Sequence, residues 1–259
     1  MATLSFTKDA AESLAKAYST PDMVGQRTVV LDLLDLKPGE CVIDIGCGPG
    51  FLCESMADKV GPAGAVLGID ISPDLIALCK DRTPPAHLRY AEEDALNLAS
   101  DEGSFDVAVC TQVAEYIPDT GRILAEMFRV LRPSGRALIM ATDWNCVGWH
   151  SSDPDRMNRV MKAWEGHCAH PSLPRVLSPA LVAAGFEHLA LHAHPIINRQ
   201  FDPSQYSYGA AHLIKDYATN SGFSEAEAQD WFDDLAHLDE VGQYYFASAR
   251  MIFTARKPA

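Results

Sequence analysis

The sequence predicts an α/β fold in which a doubly wound, mostly parallel sheet carries helices on both faces. From residue 41 onward, short apolar segments rich in β-branched residues alternate with longer segments whose apolar residues have helical spacing. The short segments are almost continuously apolar, which is typical of parallel strands buried on both faces. A chain of 259 residues can bury a large core within one domain.

The N-terminal segment predicts two helices before the first strand, over residues 6–19 and 21–35. Thr20 and Pro21 fit an N-cap followed by a proline at the first helical position. The Lys-Pro-Gly segment 37–39 then ends the second helix.

Strands and helices alternate from there to residue 142. The predicted strands are residues 41–46, 65–70, 87–91, 105–111 and 136–142. The predicted helices are residues 50–60, 73–82 and 119–131. A helix between successive strands is the crossover that parallel pairing requires, so we expect these strands to run parallel.

The alternation changes after residue 143. A helix is predicted over 153–169, and a second helix, which Gly185 ends, precedes another strand. Two more helices are predicted within 203–241, and residues 244–258 are predicted as a closing strand. We expect a single domain over 1–259, composed of N-terminal helices (1–36), a core (37–142), a cap made of two insertions (143–175 and 198–242) and the closing strand segment (243–259).

Composition and charge disfavour several classes of partner. The net charge of −14 disfavours nucleic acid, because affinity for phosphates comes mainly from Lys and Arg. No apolar run reaches the roughly 18–20 residues of a membrane span, and the acids in residues 1–19 do not fit a signal peptide. Seven widely spaced cysteines without a CxxC pair predict reduced thiols and a cytoplasmic location.

The strongest local signal is the segment Asp44–Gly50, DIGCGPG, which ends the first strand and precedes a helix. Glycines there let the chain turn sharply and let a ligand approach the backbone. Asp70 ends the second strand, where an acid typically binds a ribose diol. Asp94 follows the third strand, where an acid can accept a hydrogen bond from an adenine amino group. These positions share the edge of the sheet where open α/β folds bind ligands.

Together these segments resemble the class I S-adenosylmethionine-dependent methyltransferases, which have a Rossmann-like fold, and most closely the ubiquinone/menaquinone C-methyltransferase-like group. The matching segments, all within residues 41–142, are VIDIGCGPG, GIDIS, EEDA, FDVAVCTQVAEYIPD and RVLRPSGRALIM. The resemblance implies an S-adenosyl-L-methionine cofactor and an antiparallel last strand, which suits residues 244–256. An NAD-type cofactor is the alternative, but its motif needs a glycine where Phe51 stands.

The resemblance also implies a set of cofactor contacts. It places the glycines beside the methionine moiety, Asp70 on the ribose, and Asp94 with the Ala95 amide on the adenine. Tyr18 and Arg27 belong to N-terminal helices that fold over the cofactor, and Arg27 is expected to pair with the methionine carboxylate. Alternatively, the glycines serve only the turn and Arg27 is a solvated helix charge. The predicted set is Tyr18, Arg27, Asp44, Gly46, Cys47, Gly48, Gly50, Asp70, Ile71, Asp94, Ala95, Thr111 and Gln112.

The residues predicted for catalysis are His150 and Tyr116. His150 is the general-base candidate because an unperturbed histidine titrates near ~6.5; the alternative is a histidine packed between cap and sheet. Tyr116 follows the fourth strand and is expected to donate to the substrate or, preferably, to line its pocket. Segments 143–150 and 203–217 are expected to line the acceptor pocket with aromatic rings. The aromatic residues expected to take part are Trp144, Trp149, Tyr206, Tyr208 and Trp231. Three histidines, His188, His192 and His194, share one side of a predicted strand, and we interpret them as a polar strand face and not as a metal site.

The predicted function is methyl transfer to an O, N or C atom of a small molecule in secondary or cofactor metabolism. The predicted partners are the small-molecule acceptor and, as an option, a second copy of the chain; nucleic acid, membrane and metal are not expected. A macromolecule-directed methyltransferase and a non-catalytic subunit of the same fold are the alternatives. Intact glycines and acids oppose the non-catalytic subunit, and the charge of −14 opposes the macromolecular substrate.

Overall fold

The computed structural model describes residues 8–259, so the first two residues of the helix predicted over 6–19 lie outside the described residues. The α-helices are α1 (Lys8–Ala17), α2 (Pro21–Leu34), α3 (Phe51–Val60), α4 (Pro73–Asp81), α5 (Thr120–Val130), α6 (Pro154–Trp164), α7 (Pro174–Ala183), α8 (Tyr206–Asn220) and α9 (Glu225–Glu240). The strands are β1 (Cys41–Ile45), β2 (Ala65–Asp70), β3 (Leu88–Glu92), β4 (Phe105–Thr111), β5 (Leu131–Thr142), β6 (Gly148–Trp149), β7 (Glu187–Asn198) and β8 (Phe246–Arg256).

The sheet confirms the predicted fold class. Strands β3, β2, β1, β4 and β5 lie side by side in that order and pair in parallel. Strand β8 runs antiparallel to β5 on one side and to β7 on the other, and the short β6 also pairs with β8. The carboxyl ends of the five parallel strands therefore lie at one edge of the sheet, where the predicted ligand-binding residues are.

Helices cover both faces of the sheet, as the continuous apolar strands predict. Side chains of α2, α3 and α4 pack against one face, and side chains of α5 and α7 pack against the other. A third buried cluster joins α6, α8 and α9 to the start of β8, and it forms the cap. Burial of apolar surface on each face stabilises this arrangement by about 25 cal/mol per Å² removed from water.

Most element boundaries lie within about two residues of the sequence prediction, and two differ by about five. The helix predicted over 153–169 ends at Trp164 and continues as a single 3₁₀ turn, Glu165–His167. The ring of His167 donates from Nδ1 to the Trp164 carbonyl, so a side chain takes the bond that a further helical turn would make. Strand β5 starts at Leu131 instead of residue 136, because Leu131 pairs with Phe105 across an irregular register.

Candidate functional site

The loop Asp44–Gly50 lies at the carboxyl edge of the sheet and is built around three glycines with positive φ. Gly46, Gly48 and Gly50 have φ of 75°, 52° and 78°, in the left-handed region that glycine adopts most readily. A Cβ on Gly46 would come within 2.2 Å of Val113, and one on Gly50 within 2.7 Å of neighbouring side chains. A Cβ on Gly48 would meet nothing within 4 Å. Gly48 is therefore the glycine of this loop that faces open space.

Asp70 joins the end of β2 to this loop. Its Oδ2 accepts a hydrogen bond from the Gly48 amide, and its Oδ1 accepts one from the Ser72 amide, both at 2.9 Å. Burial raises the pKa of Asp70, and these backbone bonds oppose the rise. Each carboxylate oxygen has a further lone pair, so Asp70 can still accept from two hydroxyl groups.

Asp44 is a buried acid at the start of the loop. Its Oδ2 accepts from the Cys53 thiol at 3.2 Å, while its Oδ1 has no hydrogen-bond partner within residues 8–259. Burial raises the pKa of Asp44 to about 7 and that of Cys53 to about 12. Cys47 is also buried and directs its thiol to the Gly48 carbonyl. Asp44 therefore provides one unused acceptor oxygen beneath the loop.

The residues predicted for adenine contact lie beside Asp70. Ile71 is 69% exposed, an unusual state for a large apolar side chain next to a buried acid. Asp94 is exposed and accepts from the Leu96 amide at 2.9 Å, and Ala95 is half-buried. Because Asp70 pairs with Glu92 in the sheet, the segment after β3 adjoins the end of β2.

Tyr18 and Arg27 come together where α1 meets α2. Arg27 donates from Nη1 to the Tyr18 carbonyl at 2.6 Å, and its guanidinium lies 5.3 Å from the centre of the Phe51 ring. Burial lowers the pKa of Arg27. Burial also raises the pKa of Tyr18 to about 12, while the Arg250 cation lowers it and the Glu115 carboxylate raises it. Arg27 thus joins the end of α1 to α2.

The end of β4 continues into a strained residue and a 3₁₀ turn, Ala114–Tyr116. Gln112 has a φ of 56°, a left-handed conformation that is uncommon for a residue other than glycine. Its backbone amide donates to the Met140 carbonyl and its side-chain amide to the Thr142 hydroxyl, both at 2.7 Å. Gln112 is thus held by β5, and the cofactor contacts of Gln112 and Thr111 stay predictions.

Sequence reasoning missed a buried cluster around Arg250 on β8. Arg250 is 0% exposed, donates from Nε to Gln26 at 2.9 Å and donates from Nη1 to Thr142 at 2.5 Å. Its guanidinium also lies 4.5 Å from the centre of the Tyr206 ring. Burial alternates along residues 246–252, and Arg250 occupies one of the buried positions. A charged residue at the buried phase of a strand was the signal that could have identified it.

The two residues predicted for catalysis have different surroundings. Tyr116 is 38% exposed, and its ring lies edge-on to His167 at 5.7 Å. His150 is exposed and its backbone amide donates to the Tyr245 carbonyl at 3.0 Å. Within residues 8–259 no side-chain hydrogen bond joins His150 to another candidate, so its role as a base stays a prediction.

Aromatic residues predicted to line the acceptor pocket lie mostly in the cap core. Trp149 packs edge-on against Trp231 at 5.6 Å, and Trp144 packs edge-on against Trp164 at 5.6 Å. A groove of about 300 Å³ lies between residues 144–149 and α6. That segments 143–150 and 203–217 line the acceptor pocket stays a prediction.

The histidines are distributed along the chain without a common centre. His167 is buried, and its ring stacks on Trp164 at 3.7 Å. Burial lowers its pKa to about 4, so the ring is neutral at pH 7. The part of the chain from residue 8 onward contains no group of three or more His, Cys, Asp or Glu side chains arranged to hold a metal ion.

Comparison with known proteins relates the chain to methyltransferases. Residues 43–139 match a family described as "Methyltransferase domain". Nocamycin O-methyltransferase of Saccharothrix syringae is 36% identical over 80% of this chain and 66% of its own length. A 2-phytyl-1,4-naphtoquinone methyltransferase of Trichormus variabilis is 34% identical over 40% of this chain and 47% of its own length. The chain thus spans about two thirds of one relative and about half of the other.

A solved structure with the same fold is phosphoethanolamine N-methyltransferase 2 of Haemonchus contortus, in complex with S-adenosyl-L-methionine. It aligns with a TM-score of 0.67 over 98% of this chain and 58% of that chain, at 18% sequence identity. At this identity the likeness concerns the fold alone.

Proposed function

The chain belongs to the class I S-adenosylmethionine-dependent methyltransferases, and on this premise we propose that it transfers a methyl group from S-adenosyl-L-methionine to a small-molecule acceptor. The observation that carries the proposal is the loop Asp44–Gly50, which is tied by its Gly48 amide to the Asp70 carboxylate. It combines an open glycine with acids at adjoining strand ends, which suits a nucleoside-containing ligand.

The residues present fit the cofactor. Gly48 faces open space, the Oδ1 of Asp44 is a buried acceptor without a partner in the described chain, and Ile71 offers an exposed apolar side chain. In the proposal Asp70 accepts from the ribose hydroxyls, Ile71 packs on the adenine, and Asp94 with the Ala95 amide binds the adenine edge.

The methionine end of the cofactor is assigned to the other predicted residues. The glycine loop with Asp44 and Cys47 approaches the methionine moiety, and Tyr18 with Arg27 covers it from the N-terminal helices. Thr111 and Gln112 lie at the neighbouring end of β4. When bound, S-adenosylmethionine supplies an electrophilic methyl group on a sulfonium, so the chain has to align the acceptor and exclude water.

A small-molecule acceptor and a cytoplasmic location are part of the same proposal. The charge of −14 repels polyanionic substrates, and the described cysteines are free thiols. None of the helices in residues 8–259 is long and apolar enough to span a membrane. Pairing of two copies of the chain remains part of the proposal, and light scattering of the purified protein measures it.

Binding of S-adenosylhomocysteine tests the cofactor site. Calorimetry is expected to give an affinity in the micromolar range for the wild type. Asp70→Asn is expected to weaken it by about 10-fold or more, because hydrogen bonds to a charged acceptor contribute roughly 1.5–3 kcal/mol. Asp74→Asn, an exposed acid on α4, is the matched control and should bind as the wild type does. Equal affinity of the wild type and Asp70→Asn would contradict the proposal that Asp70 binds the ribose hydroxyls.

Transfer of labelled methyl groups tests the activity. The protein is incubated with labelled S-adenosylmethionine and a cell extract that has been separated by size. Label in the small-molecule fraction supports the proposal, while label confined to protein or nucleic acid supports the macromolecular alternative. Cofactor binding without any transfer supports the non-catalytic alternative.

A further inference from the structure

The carboxylate of Glu115 is buried at the end of β4 without a hydrogen-bond partner. Glu115 is 1% exposed, and neither of its carboxylate oxygens has a hydrogen-bond partner in the described part of the chain. Its backbone carbonyl accepts from the His170 amide at 2.9 Å, so the cap holds this turn in place. A buried carboxylate without a partner is costly, because the group loses its hydration and gains nothing in return. A ligand group that donates a hydrogen bond to this carboxylate would remove that cost.

Arg250 is the complementary group, with one donor left over. Its Nε and Nη1 are held by Gln26 and Thr142, and its face lies on the Tyr206 ring. Its Nη2 is buried and, within residues 8–259, has no acceptor. The guanidinium is therefore fixed in orientation while one of its nitrogens remains free to donate.

The segment that carries Glu115 and the Arg250 side chain meet at Thr142. The Thr142 hydroxyl accepts from Gln112 at 2.7 Å and from Arg250 at 2.5 Å. The turn that carries Glu115 packs against β5, which ends at Thr142. Burial raises the pKa of Glu115 to about 7, and the Arg250 cation opposes this rise. The Glu115 carboxylate in turn raises the pKa of Tyr18, which follows α1, and of Tyr116, which is the next residue in the turn.

The charges of this pair restrict what can bind between them. A cationic amine has only donors and could satisfy Glu115 but not Arg250, and a carboxylate or phosphate has only acceptors and could satisfy Arg250 but not the Glu115 carboxylate. A neutral hydroxyl group can donate to the carboxylate and accept from the guanidinium at the same time. Resting on the proposed function, we infer that Glu115 and Arg250 form the acceptor-recognition pair of this site and select a phenol or enol hydroxyl.

The pair also accounts for the proton that O-methylation releases. The hydroxyl oxygen forms a bond to the methyl carbon while the carbon–sulfur bond breaks, and the electron pair of that bond stays on sulfur. The hydroxyl proton passes to the Glu115 carboxylate. Arg250 donates from Nη2 to the same oxygen and stabilises the negative charge that develops on it.

Burial raises the pKa of Glu115 to about 7, which is in the range that a general base needs at neutral pH. The titratable and charged groups around it are Tyr18, Cys110, Tyr116, Cys168 and Arg250. The pKa values of the two tyrosines and two cysteines are raised, so these groups stay protonated near pH 7. Asp44 is a second acid whose pKa burial raises to about 7, so loss of the pH-dependent rate in Glu115→Gln is what assigns it to Glu115.

An acceptor panel tests the selection of a hydroxyl group. The panel contains phenols and enols of one to three rings, each with its amine and carboxylate counterpart, and labelled S-adenosylmethionine reports transfer. Label is expected in hydroxyl compounds only. Label in amines, in carboxylates or at carbon, or in no member of the panel, would overturn the selection of a hydroxyl.

Glu115→Gln tests the base. Turnover of the best hydroxyl acceptor is expected to fall by ~10²–10⁴-fold, and the rise in rate through neutral pH should disappear. Affinity for S-adenosylhomocysteine should hold. Glu126→Gln, which removes another buried carboxylate, on α5, is the matched control and should keep both rate and pH profile. Thr142→Val, which removes an anchor of Arg250 at nearly constant volume, should raise the KM of the acceptor.

A stability measurement separates failure of this inference from failure of the proposed function. Because burial raises the folded-state pKa of Glu115, the native state binds more protons than the unfolded state between about pH 4 and 7. The stability contributed by this group is lost as pH rises through about 7, so Glu115→Gln should gain melting temperature relative to the wild type between pH 5 and 8. A melting-temperature difference that does not change with pH would contradict a buried, unpaired Glu115 carboxylate. If Glu115→Gln binds the cofactor and keeps the turnover of the wild type, only the assignment of Glu115 as the base is overturned.

Discussion

At the scale of single residues, the site depends on glycines that have different tasks. Gly46 and Gly50 lie against other side chains, whereas Gly48 borders open space. All three have positive φ, which costs residues with a Cβ roughly 1–2 kcal/mol. Of the three glycines, only Gly48 is a position where an added side chain is expected to clash with a bound ligand and not with the protein itself.

Gly48→Ala separates this role from backbone strain. Gly103 is the control, because it has a φ of 66° and nothing within 4 Å of an added Cβ. We expect both alanine variants to lose roughly 1–2 kcal/mol of unfolding free energy, measured by urea denaturation. Only Gly48→Ala should lose affinity for S-adenosylhomocysteine. Equal affinity in the two variants would show that Gly48 serves the turn alone.

His150 is the other candidate for the base. Its side chain is exposed, and exposed positions usually tolerate substitution. Because the base is assigned above to Glu115, we expect His150→Ala to keep turnover within about threefold. A fall of ~10²-fold or more with loss of the rate change between about pH 6 and 8 would instead establish His150 as the base.

At the scale of elements, the helices α1 and α2 are joined to each other through Arg27. The Arg27 guanidinium donates to the Tyr18 carbonyl that follows α1, and it also lies over Phe51 at the start of α3. One side chain thus holds the N-terminal helices against the first residue after the glycine loop. This contact differs from the expected pairing with the methionine carboxylate, although a guanidinium has further donors for that purpose.

Arg27→Ala tests whether this connection serves the cofactor. We expect affinity for S-adenosylhomocysteine to fall by about 10-fold, because a charge-assisted hydrogen bond contributes roughly 1.5–3 kcal/mol. Limited proteolysis should also cut within residues 8–19 more rapidly. Arg199→Ala, at an exposed position after β7, is the control. Faster cleavage with unchanged affinity would assign Arg27 to the helix junction only.

At the scale of the whole molecule, the sheet buries two acids whose pKa values are raised to about 7, Asp44 and Glu115. Both belong to the edge where the parallel strands end, and each has at least one oxygen without a partner in residues 8–259. The native state therefore holds protons there that the unfolded chain releases at lower pH. The two buried acids therefore lower the stability of the fold at the edge of the sheet where ligands are expected to bind.

The pH dependence of unfolding measures this cost. We expect the free energy of unfolding to fall as pH rises from about 5 to 7, by at most about 1.4 kcal/mol per pH unit for each acid. Asp44→Asn combined with Glu115→Gln should flatten this part of the curve, measured by urea denaturation at several pH values. Glu126→Gln, whose carboxylate is paired with Arg129, should leave the slope unchanged. A wild-type curve that is level between pH 5 and 7 would contradict the prediction.

The fold class, the order of the elements up to residue 142 and the residues at the ends of the parallel strands follow from the sequence alone, whereas the short β6 was not predicted. These follow from local patterns: apolar runs predict strands buried on both faces, and glycines with acids indicate the turns at the edge of the sheet. Family membership and the cofactor class follow from the same segments. The end of α6 was missed, because the His167 side chain replaces the next helical bond.

Only the tertiary structure decided which distant residues meet. Arg250, Thr142 and Gln26 lie on three elements that are far apart along the chain, and antiparallel pairing of β8 with β5 sets Arg250 opposite Thr142. Glu115 follows β4 in the sequence, but it is buried in the fold, and its backbone carbonyl accepts from the His170 amide of a distant segment. Periodicity describes neighbours within one element, whereas burial and unpaired polar groups arise from contacts between elements, so the acceptor side of the site became evident only in three dimensions.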